Sequence, residues 1–182
     1  GLAPAALVDN GDALQALAGR ALDGATTSLV NGEAGRSLLS HVVSCALGTG
    51  ETATFPRGGG PPLVFTGTLG IARGWKGSPL NVSGQRFVTA CLMAHVNALE
   101  TTFPISVRST ALRNPSLLER LLYPSQELAV YGNIFAPPSQ RQLNVCFGEA
   151  VAQSLGGSGI LGGVVGLPGY LQFRFRECSM NA

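Results

Sequence analysis

The sequence predicts an α+β domain in which two main helices, stapled by a disulfide, pack on a mostly antiparallel sheet. Two stretches of helical period, 31–47 and 83–99, each carry a histidine and a cysteine four residues apart. Shorter runs between and after them alternate polar and apolar residues or lie between turn residues, as β-strands do. The sequence contains no internal repeat, so we expect one domain at 31–182 behind an N-terminal arm or partly helical lead-in at 1–30.

Composition narrows the class of protein. Of the 182 residues, 45% are hydrophobic and only 12% are charged, a charged fraction about half of the usual one. Such a chain can bury a core, and its charge-poor surface favours contact with partners. The net charge is +2 and the basic residues are spread thinly, so we do not expect nucleic acid as a partner.

The first half of the chain predicts helix, hairpin, helix. Asn31 is a candidate cap for a helix over 36–47, which Gly48 and Gly50 end. Strands at 51–55 and 63–66 then form a hairpin around a loop rich in Gly and Pro. Ser83 is a candidate N-cap for the central helix, in which Phe87, Cys91, His95 and Leu99 recur every four residues on one face.

The second half predicts mainly strands, with a helical turn at 117–122. Predicted strands occupy 103–108, 127–135, 140–147 and 170–178. In the last of them Arg174 and Arg176 share one face, as in a strand that is wet on one side. Before it lies a Gly-rich segment, 151–169, which is apolar but too rich in Gly to form a membrane-spanning helix.

Four widely spaced cysteines predict two disulfides in an oxidising compartment. Four cysteines allow three connectivities. We favour Cys45 with Cys91 and Cys146 with Cys178, because each pair joins segments of like predicted type.

A metal site is the alternative reading of the same helices. His and Cys four residues apart on a helix can point at one ion, so His41, Cys45, Cys91 and His95 could form a tetrahedral set. The disulfide is favoured in an exported protein, and we expect no metal or other cofactor.

Catalytic motifs are weak, so a non-catalytic protein is favoured over an enzyme. Ser158 stands in Gly-Gly-Ser-Gly-Ile, which lacks the final glycine of a nucleophile elbow. Neither a phosphate-binding loop with its lysine nor a dinucleotide fingerprint is present. A small hydrolase remains the weakest of the alternatives.

Several residues are candidates for contact with a partner. Trp75, in a glycine-flanked loop, either stacks on a ligand or fills the core between the helices. Arg174 and Arg176 could recognise an anionic group, although a solvated strand face explains them as well. The apolar positions of the Gly-rich segment are the best interaction candidates: Leu161, Val164 and Val165.

A set of short motifs carries a family resemblance. The motifs are Ser44-Cys45-Ala46-Leu47, Gly70-Ile71-Ala72-Arg73-Gly74-Trp75, Val88-Thr89-Ala90-Cys91-Leu92 with Asn97, and Gly132-Asn133-Ile134-Phe135 before Cys146. Over about residues 31–147 the chain resembles a group of uncharacterised exported or lipid-anchored proteins of myxobacteria and related Gram-negative bacteria. The resemblance implies export and a Cys45–Cys91 bridge, and it implies no activity.

Together these observations predict an exported protein, periplasmic or extracellular, that acts by binding. We expect an accessory or structural subunit of a larger envelope or extracellular assembly, with protein partners. Contact with a membrane surface is compatible with the sequence, and a membrane span is not expected. The alternatives are a metal- or cofactor-binding redox protein and, less favoured, a small hydrolase.

Overall fold

The computed structural model describes residues 1–96, 106–112, 114–124, 128–147, 164–167 and 171–177. The α-helices of this part of the chain are α1 (Pro4–Val8), α2 (Gly11–Ala18), α3 (Glu33–Ala46), α4 (Val82–His95) and α5 (Leu117–Leu122). Its strands are β1 (Thr52–Phe55), β2 (Leu63–Thr66), β3 (Leu128–Gly132), β4 (Gln142–Phe147), β5 (Val164–Leu167) and β6 (Leu171–Glu177).

The strands form two small, mostly antiparallel sheets. β1 and β2 make the predicted hairpin, with Thr52 opposite Thr66 and Phe55 opposite Leu63. The other sheet has the order β3-β4-β6-β5, in which the β4–β6 pair is parallel and the other two pairs are antiparallel. Helices beside small antiparallel sheets confirm the predicted α+β class.

The core is built around α3. This helix contacts α1, α4, β2 and the 3₁₀ turn at Ser28–Val30. Seven of its residues are buried: Gly35, Leu38, Leu39, Val42, Val43, Cys45 and Ala46. α4 covers α3 with a buried stripe and also contacts β3. The two predicted helices are therefore the centre of the molecule.

Both helix N-termini differ from the predicted caps. α4 begins after Asn81, whose side-chain oxygen accepts a hydrogen bond from the Gly84 N–H at 2.8 Å, so Ser83 lies within the first turn. α3 begins after Gly32, since Asn31 ends the preceding 3₁₀ turn. Asn and Ser are comparable N-caps, so their spacing alone could not decide between them.

The N-terminal thirty residues are partly helical, as predicted, but they are packed more deeply than an arm. Leu2, Leu14 and Leu22 are fully buried. The Leu2 N–H donates to the carbonyl of His95 at 2.8 Å, and the Leu22 N–H donates to the carbonyl of Trp75 at 2.8 Å. The segment belongs to the core because its leucines, although irregularly spaced, all find apolar partners.

Three predicted strands change at their ends. Residues 106–108 are irregular, and 103–105 lie outside the described residues. β3 stops at Gly132, so 133–135 form a turn instead of extending the predicted strand. The strand predicted at 140–147 begins later, at Gln142, because a short 3₁₀ turn that starts at Pro138 includes Gln140.

The Gly-rich segment contains a strand that the sequence analysis did not predict. β5 pairs with β6 along its length, with Val164 opposite Arg174 and Leu167 opposite Leu171. Among the helices of the described residues, none combines the length and the apolar character needed to cross a membrane.

Candidate functional site

The His and Cys residues predicted on two helices come together in the structure. Cys45 and Cys91 form a disulfide with a Cα–Cα distance of 6.1 Å, and both are buried. One turn away, the rings of His41 and His95 meet edge to face with 5.3 Å between their centroids. Because His41 precedes Cys45 while His95 follows Cys91, α3 and α4 run antiparallel here. We call these four residues the His–Cys ladder.

The two rings of the ladder differ in their hydrogen bonds. His41 Nδ1 lies 2.8 Å from the carbonyl oxygen of Ser37, which can only accept, so Nδ1 donates and Nε2 of the neutral ring keeps a lone pair. His95 Nε2 is buried and has no hydrogen-bond partner among the described residues. A ring nitrogen of His95 and the two sulfur atoms lie within 4.8 Å of one another.

Burial keeps the His95 ring neutral at neutral pH. Desolvation lowers the pKa of His95 below its ordinary value of 6.5, and the nearby charges of His41 and of the N-terminal ammonium lower it further. A neutral imidazole with an unpartnered nitrogen can accept a proton or bind a metal ion.

Trp75 lies in the core, so its ring is not presented to a partner. Its exposed fraction is 2%, its indole N–H donates to the carbonyl of Arg20 at 3.0 Å, and its ring packs edge to face on Phe135. The core alternative of the sequence analysis therefore describes Trp75.

The other predicted partner contacts and the second predicted bridge lie largely outside the described side chains. Val164 and Val165 are backbone-paired in β5, and Arg174 and Arg176 are backbone-paired in β6 between β5 and β4. Leu161, Ser158 and Cys178 lie outside the described residues, and only the backbone of Cys146, in β4, is described. The Cys146–Cys178 bridge stays a prediction.

A buried arginine is a feature that the sequence analysis missed. The side chain of Arg141 is 1% exposed and its Nη2 donates to Asp12 at 2.7 Å. Its Nε donates to the carbonyl of Ala136 at 2.8 Å, whereas Nη1 is buried against Gly11 without a partner among the described residues. The sequence signal was Gly11, because any Cβ there would occupy the space of the guanidinium. The contact ties α2 to the β3–β4 connection and is structural.

α5 turns its apolar side to solvent. Four leucines with exposed fractions between 64% and 76% form one surface, which we call the leucine face: Leu117, Leu118, Leu121 and Leu122. At about 100° per residue these positions span about 140° of the helix circumference. None of the α5 residues is buried, so the leucines do not serve the core of the described chain.

Polar contacts hold α5 in place from its other side. The Ser116 hydroxyl caps the helix by accepting from the Glu119 N–H at 3.1 Å. The Ser106 hydroxyl donates to the Glu119 carboxylate at 2.6 Å, and Arg108 Nη2 donates to the carbonyl of Tyr123 at 2.6 Å. The amphipathic helix is thus inverted relative to an ordinary surface helix, which buries its apolar stripe.

The surface of the described residues includes two open depressions whose linings do not hold a set of catalytic groups. The larger, of about 520 Å³, is lined by carboxamides and apolar side chains, with Arg86 as its charged residue. The smaller, of about 270 Å³, is lined by glycine, serine, asparagine and apolar residues. Their linings offer hydrogen bonds but no carboxylate, histidine or cysteine.

Comparison of the chain with protein-family models, with curated proteins and with solved structures found no match. The class of the protein is therefore defined by its own geometry, an α+β domain whose two central helices are joined by a disulfide.

Proposed function

We propose that the protein acts by binding, as an exported accessory or structural subunit of a larger envelope or extracellular assembly, with the leucine face as its contact with a protein partner. The observation that carries the proposal is the exposure of four leucines on a helix that buries none of its residues. A contiguous exposed apolar surface marks an interaction site in a folded protein.

The free energy gained by covering the leucine face suits one part of a larger interface. Burying a leucine contributes about 1.5–3 kcal/mol, so covering the part still exposed of four leucines contributes about 4–8 kcal/mol. Association costs about 4–15 kcal/mol in lost freedom, so this face alone does not give a tight complex. A partner must also cover neighbouring surface, as the subunits of an assembly do.

Protein is favoured over membrane as the partner. Anionic membranes attract clusters of Lys and Arg beside an apolar helix face, and α5 carries one glutamate and one arginine, whose charges cancel. Export is supported by the Cys45–Cys91 disulfide, since disulfides persist in oxidising compartments. The resemblance to exported or lipid-anchored proteins points the same way.

Site-specific photo-crosslinking tests the proposal. A photoreactive benzophenone amino acid replaces Leu118 of the full chain in the cells that make it, and Val64 is replaced in the same way as a control. Val64 on β2 has a comparable exposed fraction of 58% but is not on the leucine face. We expect protein adducts of defined mass from position 118 that are absent from position 64.

Other outcomes would overturn the proposal. Adducts with lipid alone would assign the face to a membrane surface, and equal labelling from both positions would show nonspecific contact. Absence of adducts, together with a purified chain that sediments as a monomer at every concentration, would also contradict it. The double variant Leu118→Gln/Leu121→Gln should lose partner association while its free energy of unfolding changes by less than about 0.5 kcal/mol, because these side chains are exposed.

A further inference from the structure

The His–Cys ladder has the composition of a structural zinc site in which the two sulfurs are bonded to each other. Two cysteines and two histidines form one of the tetrahedral ligand sets of structural Zn²⁺. The ladder places these four residues on two antiparallel helices, with one His–Cys pair on each. We propose that reduction of the Cys45–Cys91 disulfide converts the His–Cys ladder into a Cys₂His₂ site for Zn²⁺. The proposal does not rest on the leucine face.

His41 has the tautomer that a metal ligand requires. Metal-bound histidines almost always donate their other ring N–H to a carbonyl or a carboxylate, which fixes the tautomer. The Nδ1 of His41 has such a bond to the carbonyl of Ser37, so Nε2 is the nitrogen left to bind.

His95 supplies an unused ligand atom. Its Nε2 is shielded from water and lacks a hydrogen-bond partner among the described residues, which is unfavourable for a polar atom. The three groups already within 4.8 Å of one another are Cys45, Cys91 and His95. Tetrahedral Zn²⁺ requires ligand atoms about 3.3–3.8 Å apart, so the proposal requires the side chains of the ladder to rotate toward a common point.

The redox step balances with a dithiol as reductant. The dithiol gives two electrons and two protons to the Cys45–Cys91 bond, which breaks to two thiols while the dithiol closes to its own disulfide. Binding of Zn²⁺ then displaces the two thiol protons and forms two Zn–S bonds. The oxidised ladder lacks thiolates, so the cation binds only to the reduced form.

Titration with Co²⁺ tests the proposal in the full chain. Co²⁺ substitutes for Zn²⁺, and its thiolate charge-transfer and tetrahedral d–d absorption report sulfur ligation. A Cys146→Ser/Cys178→Ser background leaves Cys45 and Cys91 as the remaining thiols. The chain is reduced with a dithiol, freed of it without oxygen, and compared with the oxidised chain; wild type is titrated in parallel in case the background folds poorly.

We expect one Co²⁺ per chain with sulfur ligation, displaced by Zn²⁺, in the reduced form alone. His41→Ala and His95→Ala should each weaken Co²⁺ binding by about 100-fold or more. Loss of a residue that only supports a metal ligand costs about 10–100-fold, so the larger effect identifies the histidine itself as a ligand. The control Arg86→Ala, exposed on α4 near its other end, should bind as the parent does. Absence of the charge-transfer band, equal binding by the oxidised chain, or insensitivity to both histidine variants would overturn the proposal.

Discussion

At the scale of single residues, the ion pair between the buried Arg141 and Asp12 is the contact whose loss should be easiest to measure. Its guanidinium is almost fully buried, whereas its carboxylate partner Asp12 is 71% exposed. Asp12→Ala removes the acceptor and leaves a buried cation with fewer hydrogen bonds. We expect the free energy of unfolding, measured with urea, to fall by about 1–2 kcal/mol, with solvent screening keeping the loss below that of a fully buried pair.

Two comparisons separate this effect from a general one. Asp9→Ala, at an exposed acidic residue just before α2, should change stability by less than about 0.5 kcal/mol. In an Arg141→Met background, the cost of Asp12→Ala should largely disappear, because no buried charge remains to be paired. An equal cost in both backgrounds would show that the two side chains are not coupled.

His95 predicts a pH dependence of stability. Its pKa is lowered in the folded protein, so between 6.5 and the folded value the unfolded chain binds more protons than the folded one. Stability should therefore be full above the unfolded pKa and should fall as pH decreases below it. Urea unfolding at about pH 7.5 and pH 5.5 should show this loss, and His95→Gln should reduce it. An identical pH dependence in the variant would contradict the assignment.

Residue-scale prediction from sequence succeeded where spacing carried the signal. His and Cys four residues apart, on each of two helices, were enough to place the ladder and its disulfide. Arg141 could not be found in this way, because its side-chain partners, Asp12 and Gln15, lie more than a hundred positions away in the sequence. For Trp75 the sequence favoured a place in the core over a ligand site without deciding between them, since a tryptophan between glycines fits both.

At the scale of elements, Gly35 decides how closely α3 approaches the preceding 3₁₀ turn. A Cβ at this position would lie 2.9 Å from two backbone atoms of Leu29. Replacing a helical glycine by alanine ordinarily adds about 1 kcal/mol of stability. We expect the opposite sign for Gly35→Ala, a loss of about 1–3 kcal/mol measured by thermal or urea unfolding, because backbone must shift.

Gly74→Ala is the matched control. Gly74 also lies in a helical turn, at Arg73–Lys76, but a Cβ there would have nothing within 4 Å. Its substitution should be neutral or slightly stabilising. If both variants gained stability, close packing at Gly35 would be ruled out as the reason for a glycine in α3.

The disulfide joins the two central helices across 46 positions of sequence. In the chain-entropy model, closing a loop of this length contributes about 4 kcal/mol. Cys45→Ala/Cys91→Ala should therefore lower the free energy of unfolding by about 2–4 kcal/mol in denaturant titrations. Reducing the Cys146→Ser/Cys178→Ser chain without metal should reproduce most of the loss. A change below about 1 kcal/mol would show that packing alone holds α3 on α4.

Sequence patterns were not sufficient to predict which face of the central helix is buried or to find every strand. The central helix was predicted with Phe87 and Cys91 on its inner face, whereas the fully buried apolar residues are Val88, Cys91 and Leu92. This difference does not come from placing the N-cap at Ser83 in place of Asn81. It comes from following a single series of every fourth residue along the helix. β5 was missed because its four residues stand among glycines, and its strand form depends on pairing with β6.

At the scale of the whole molecule, the sequence patterns predicted the α+β class and the central pair of helices. They did not predict how far the core extends. The first thirty residues contribute a third of the leucine-rich core although they show no sustained period. Short helices need only two or three inward residues each, so tertiary packing, and not amphipathic repetition, determines their burial. The same limit applies to α5, whose pattern of leucines predicts a helix but not the direction in which it faces.

Because α5 turns its leucines outward, the residues that hold the helix in place are not the residues that it exposes to solvent. Ser106, Arg108, Ser116 and Glu119 fix its backbone through hydrogen bonds, and the four outward positions are free of that task. Those positions can therefore accumulate substitutions, or be randomised in a library, without unfolding the domain. The surface that α5 presents to solvent can therefore change, by evolution or by design, on a scaffold that stays the same.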